Sequence, residues 1–197
     1  MVARLDPRAV EEARQDELHA KRPVSNVAGP YGHPFHPIFV TIPIGAWVGS
    51  LVLDIASKSG DDGGALARGA YWMIGVGIVG ALVAALFGFL DFLAVPRGTR
   101  ALKVALTHML FNLAVVALFV ASFIWRADRG ATKETSTGLF VLSGIALALL
   151  LVSGWLGGML AYHYGVRVAD EDTQLDGYLH NGDRRRHGSL AQSDRTR

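Results

Sequence analysis

Cysteine is absent from the 197 residues, which excludes disulfides, iron–sulfur clusters held by the chain, thiolate zinc sites and cysteine nucleophiles. Any metal must therefore be held by His, Asp, Glu, Tyr or Met. Charge is also missing, though only locally. Four long stretches are nearly free of ionisable side chains, which crowd instead into both ends of the chain and three short connections. No HExxH motif, phosphate-binding loop or Ser–His–acid arrangement is present, and beyond a basic tail nothing points to nucleic acid. The start, "MVARLDPRAVEEARQDELHAKRPVS", lacks the short basic region leading directly into an apolar one that a secretory signal requires. No cleavage is expected.

What is present is membrane composition. A bilayer core about 30 Å thick asks for about 20 apolar residues at 1.5 Å each, and four stretches qualify: Ile38–Ala56, Ala70–Val95, Val104–Trp125 and Gly138–Tyr162. They predict an all-α integral membrane four-helix bundle running up, down, up, down. Residues 32–168 form the four-helix domain, residues 1–31 a soluble tail, and residues 169–197 a polar, disordered tail. Asp6 followed by Pro7 fits an N-cap and first-turn pair for a surface helix in the first tail. Of the 19 Lys and Arg residues, 14 fall on the side of both tails and the middle loop. Insertion leaves such an excess in the cytoplasm, so both termini are placed there, in a multi-pass protein of the bacterial inner membrane. The Arg184–Arg186 cluster reads as a solvated charge run, with contact to anionic lipid as the alternative.

"GVGIVG", Gly75–Gly80, matches the dinucleotide fingerprint letter for letter but lies inside an apolar span, without the strand and helix N-terminus that the motif needs. In a bilayer such glycines let helices approach closely. The row Gly80, Ala84, Gly88 continues that face and suggests homodimerisation through it. "SGWLGGMLAYHYG" repeats the pattern with Gly154, Gly157 and Gly158.

Alternation of the helices gathers titratable groups at one face. His33 and His36 precede the first span, Asp91 ends the second, His108 begins the third and His163 ends the fourth. His108 lies about 7–8 Å past Lys103, with Asn112 one turn deeper on the same face. Ionisable groups at such depth face the bundle interior and need a partner. For Asp91 the expected donors are His108, or Arg97 and Arg100 in the adjacent loop. Asp54 belongs to a different set and reads as a residue of the opposite interface.

"GHPFHPIFVTIPIGAWVGSLVLDI", "GFLDFLAVPRGTRA", "THMLFNL" and "SGWLGGMLAYHYGVRV" together resemble the bacterial membrane family DUF2231 over residues 32–168. The resemblance carries over to His33, His36, Asp91, His108 and Asn112. It departs at His163, where the family pattern has Arg, with His one place later at Tyr164. It implies a redox or haem role.

Three functions follow. The first is a b-type haem protein with His36 and His108 as axial ligands and Asp91 or Asn112 supporting them; it allows one haem, with no second pair in the other leaflet. The second is a Zn, Fe, Cu or proton site built from His33, His36, Asp91 and His108. The third is an accessory or structural subunit of a respiratory or other membrane complex, with no catalytic activity of its own.

Overall fold

The computed structural model describes residues 6–29, 33–59, 62–129 and 135–178. Within them lie seven α-helices: α1 Pro7–Lys21, α2 Phe35–Phe39, α3 Thr41–Ala56, α4 Gly63–Leu93, α5 Arg100–Asp128, α6 Thr137–Tyr162 and α7 Glu171–Tyr178, with a short 3-10 turn at Asn26–Ala28. α2 and α3 together, Phe35–Ala56, make the first apolar span; α4, α5 and α6 make the other three. The protein is a membrane four-helix bundle. At 31 residues α4 is about 46 Å long, so it overshoots the hydrocarbon core, and its described start lies seven residues before the expected one.

The first span is interrupted near its prolines. Pro43 has no N–H to offer the turn before it, so the helix breaks at Val40 between α2 and α3. Thr41 Oγ1 donates to the Ile38 carbonyl at 2.7 Å beside the break. Side-chain caps set three of the other starts: Asp6 accepts from Arg8 N–H, as its pairing with Pro7 predicts, Thr99 from Leu102 N–H and Ser136 from Leu139 N–H. Gly98, at φ +82°, turns the chain between α4 and α5.

Neighbours in sequence are neighbours in space, α3 with α4, α4 with α5 and α5 with α6, and α3 with α6 closes the ring. At mid-bundle Trp47 stacks on Phe119, ring centres 4.2 Å apart, among Ile74, Val115 and Ala146. A β-carbon at Gly77 would run into the Trp47 indole. Glycines of "GVGIVG" thus make room for side chains of the same molecule: Gly77 for Trp47, Gly75 for Phe123, Gly80 for Ile42 and Pro43.

This corrects the dimer expectation. The Gly80–Ala84–Gly88 face is filled by Ile42, Pro43 and His36 of the same chain, so it is not open to a second copy. The first tail carries the helix α1 that Asp6 and Pro7 start. It is docked on the bundle, with Ala20 and Ala28 buried, His19 Nδ1 3.1 Å from the Ala94 carbonyl and Arg167 N–H donating to the Ala20 carbonyl. The second begins with a helix, α7, capped by the Asp170 carboxylate accepting from Thr173 N–H at 2.8 Å. The Arg184–Arg186 cluster lies outside the described residues.

Candidate functional site

At the end of the bundle that carries both tails, two imidazoles meet. His36 stands on α2 and His108 on α5, their ring centres 6.3 Å apart and their planes at 89°. His36 Nδ1 lies 2.8 Å from the Ala84 carbonyl of α4, and His108 Nδ1 lies 2.8 Å from the Ser153 carbonyl of α6. A carbonyl only accepts, so each Nδ1 carries a proton, and in the uncharged form of either ring Nε2 is the nitrogen with the lone pair.

The same local device seats both rings. A helix carbonyl is ordinarily shielded by the side chain one turn on, and here that residue is glycine twice: Gly88 follows Ala84 by four, and Gly157 follows Ser153 by four. A β-carbon at Gly88 would lie 2.8 Å from His36 Nδ1, and one at Gly157 would lie 3.1 Å from His108 Cε1. Gly154 and Gly158, which looked equivalent in the sequence, face nothing within 4 Å.

Asn112 joins the site as its spacing from His108 predicts. Its side-chain nitrogen stands 3.0 Å from His108 Nε2 and donates at 3.0 Å to the His108 carbonyl. Ser153 Oγ donates to the same carbonyl at 3.3 Å.

Asp91 is buried nearby, but its expected partners are replaced. Its Oδ1 lies 2.7 Å from Nε of Arg167, a residue beyond the end of α6 that holds a left-handed backbone at φ +60°. His33 and His163 are both exposed. His33 sits ahead of α2, and the ring of His163 meets Tyr164 edge-on at 4.7 Å. Among the described residues, no group of three or more His, Asp or Glu is placed to hold a metal ion.

A second polar cluster lies at the opposite end. Asp54, two residues before the end of α3, is fully buried among its neighbours. Arg126 grips it with two bonds, Nη1 to Oδ1 at 2.8 Å and Nη2 to Oδ2 at 2.6 Å, while Thr135 donates to Oδ1 at 2.6 Å. Ser122 accepts from Arg126 Nε at 3.3 Å. Two carboxylates and two arginines are thus taken up in pairs, as burial in a bilayer requires. The signal for this pair lay in row spacing: Asp54 follows Trp47 and Ser50 at intervals of three and four, and Arg126 follows Val115, Phe119 and Ser122 at four, three and four.

The family model for DUF2231, described as a predicted membrane protein, matches residues 32–170. The chain belongs to the DUF2231 family. No curated protein and no solved structure matches it. The matched stretch of this DUF2231 protein takes in the whole bundle, both imidazoles, Asp91, Asn112 and Arg167, and stops short of α7.

Proposed function

We propose that this DUF2231 protein is a membrane-embedded haem b protein in which His36 and His108 are the axial ligands. The observation that carries the reading is the matched pair of Nδ1 hydrogen bonds, which fixes the tautomer and ring orientation of both imidazoles, as in histidines that bind metals, with Nε2 of His108 standing 3.0 Å from the Asn112 side-chain nitrogen.

Donor count favours haem over a bare ion: His36 and His108, with ring centres 6.3 Å apart, would supply the two protein donors that a haem asks of the chain. A bare ion needs three or four protein donors, and the described residues offer no such group. Haem brings four nitrogens of its own and asks the chain for two. When bound it supplies one-electron exchange; the chain positions the imidazoles, withdraws them from water and holds Asp91 beside them in an ion pair. Asn112, 3.0 Å from His108 Nε2, would have to release that nitrogen for it to hold the iron.

The positive-inside balance supports a site in the cytoplasmic leaflet of a bacterial inner membrane, with both termini in the cytoplasm. One haem in one leaflet suits an accessory subunit that exchanges electrons on that side. The contact of Asn112 with Nε2 favours a second reading, in which the cluster is a hydrogen-bonded lock of a structural subunit.

A visible absorption spectrum of the detergent-purified protein, oxidised and then dithionite-reduced, separates them. A Soret band that is lost in His108→Ala and kept in His163→Ala supports the haem reading. A pure preparation from haem-replete cells with no Soret band overturns it.

A further inference from the structure

At the tail end of the bundle a groove of about 540 Å³ opens between α1, the end of α4 and the start of α5. Its walls differ in chemistry. Phe92, Leu93 and Leu102 line it with apolar surface, while Asp16, His19 and Arg97 line it with polar groups of both charge signs. The apolar span of α4 ends at Leu93, which is 53% exposed, and Arg97 follows four residues later. The groove therefore straddles the boundary between hydrocarbon and headgroups.

Asp16 stands on the side of α1 that meets the bundle. Ala20, one turn further along that face, is buried, and His19 Nδ1 lies 3.1 Å from the Ala94 carbonyl, pinning the helix beside the groove. Other acids of α1 are answered within the helix: Glu11 accepts from Gln15 Nε2 at 2.8 Å, and Glu17 pairs with Lys21 at 2.8 Å. The side chains of Asp16 and Arg97 have no ion pair or hydrogen bond among the described residues, with each other or with any third group. One groove thus presents an anion and a cation that do not neutralise each other.

We infer that this groove is a binding site for one phospholipid whose zwitterionic headgroup ends in a primary ammonium, as in phosphatidylethanolamine. The phosphate meets the Arg97 guanidinium, whose planar fork of donors suits it. The ammonium, with three N–H donors, meets Asp16, and an acyl chain leaves along Leu93 and Leu102 toward the hydrocarbon. A choline headgroup carries the same two charges but has no N–H to donate, and a glycerol headgroup leaves Asp16 without a cation. None of the lining residues belongs to the imidazole site, so the inference stands apart from the haem reading.

Native mass spectrometry of the full-length protein in detergent, with equimolar dioleoyl phosphatidylethanolamine, phosphatidylcholine and phosphatidylglycerol, tests this. The ethanolamine and choline lipids have equal net charge, so general attraction to basic residues cancels between them. The wild-type protein is expected to hold the ethanolamine lipid about three- to fivefold more tightly than the choline lipid, the scale of one solvent-accessible ion pair. Asp16→Asn is expected to abolish that preference, Arg97→Gln to weaken both lipids, and Glu11→Gln, an exposed acid outside the groove, to change neither. Equal wild-type binding of the ethanolamine and choline lipids, or no bound lipid at all, overturns the site. Preference for phosphatidylglycerol overturns it too, since Asp16 would then count for nothing. A preference for ethanolamine that survives in Asp16→Asn overturns its placement in this groove. The wild-type comparison needs no substitution, so a variant that fails to fold leaves the test intact.

Discussion

His36 and His108 are held in one and the same way by two different helices. Each Nδ1 bonds a carbonyl, of Ala84 or Ser153, and each ring lies on the glycine four residues further along, Gly88 or Gly157. Small residues spaced by four are familiar as surfaces for helix contact. Here they expose a carbonyl edge to an imidazole, so the motif fixes a tautomer as well as a packing distance. The two rings consequently meet from α2 and α5, their centres 6.3 Å apart.

Gly88→Ala should disturb the site more than Gly157→Ala. The new β-carbon would meet His36 Nδ1 at 2.8 Å, against 3.1 Å from His108 Cε1, so the His36 ring must move and its 2.8 Å bond to Ala84 must lengthen. Gly154→Ala, with open space around it, is the control. Imidazole nitrogen chemical shifts read the tautomer directly. Loss of a fixed Nδ1–H form in Gly88→Ala and its retention in Gly154→Ala is the expected pattern, and equal spectra in the two would refute the seating argument.

Asp54→Asn should destabilise the bundle by about 3–5 kcal/mol, because it leaves the Arg126 guanidinium buried beside a neutral group. Asp54→Leu combined with Arg126→Met should recover most of that loss, since removing both charges removes the desolvation cost together with the attraction. Thermal unfolding in detergent measures both. A double substitution as damaging as the single one would mean that Thr135 and Ser122 depend on the ion pair for their own placement.

The division between what the chain's letters reveal and what they conceal follows the range of the interactions. Apolar runs are local, so the four spans and their alternation could be read directly, and alternation alone brought His36, His108 and Asp91 to one end. Asn112 was legible because its partner is four residues away. Asp54 with Arg126, 72 residues apart, and Asp91 with Arg167 were not, because choosing among several arginines requires the packing of three helices. Arg167 was counted only as a cytoplasmic charge, though it is buried. Gly157 was indistinguishable from Gly154 and Gly158 until the position of His108 was known.

At the tail end, Asp170 caps α7, and the Thr173 side chain and N–H bonded to it hold its carboxyl below the usual carboxylate value of 3.8. A folded pKa below the unfolded one means that the cap acts fully above the ordinary carboxylate range and fades only as pH falls through the lower folded value. Amide exchange at Thr173, measured across acidic pH, should therefore show protection lost below the ordinary Asp range. Asp170→Ala should remove both the protection and its pH dependence. Protection that persists in the variant would show that α7 is held by something other than its cap.

The absence of cysteine makes the membrane orientation unusually accessible to test. Single cysteines introduced at Ser59, exposed at the end bearing the Asp54 cluster, and at Ala169, exposed at the end bearing both tails, create one thiol at each end on a background of none. Neither position carries Lys or Arg, so the charge balance that sets orientation is untouched. With intact spheroplasts and a membrane-impermeant maleimide, Ser59→Cys should label at once and Ala169→Cys only after lysis. The reverse pattern would move the imidazole site to the outer leaflet, and with it the electron donor that the haem would face.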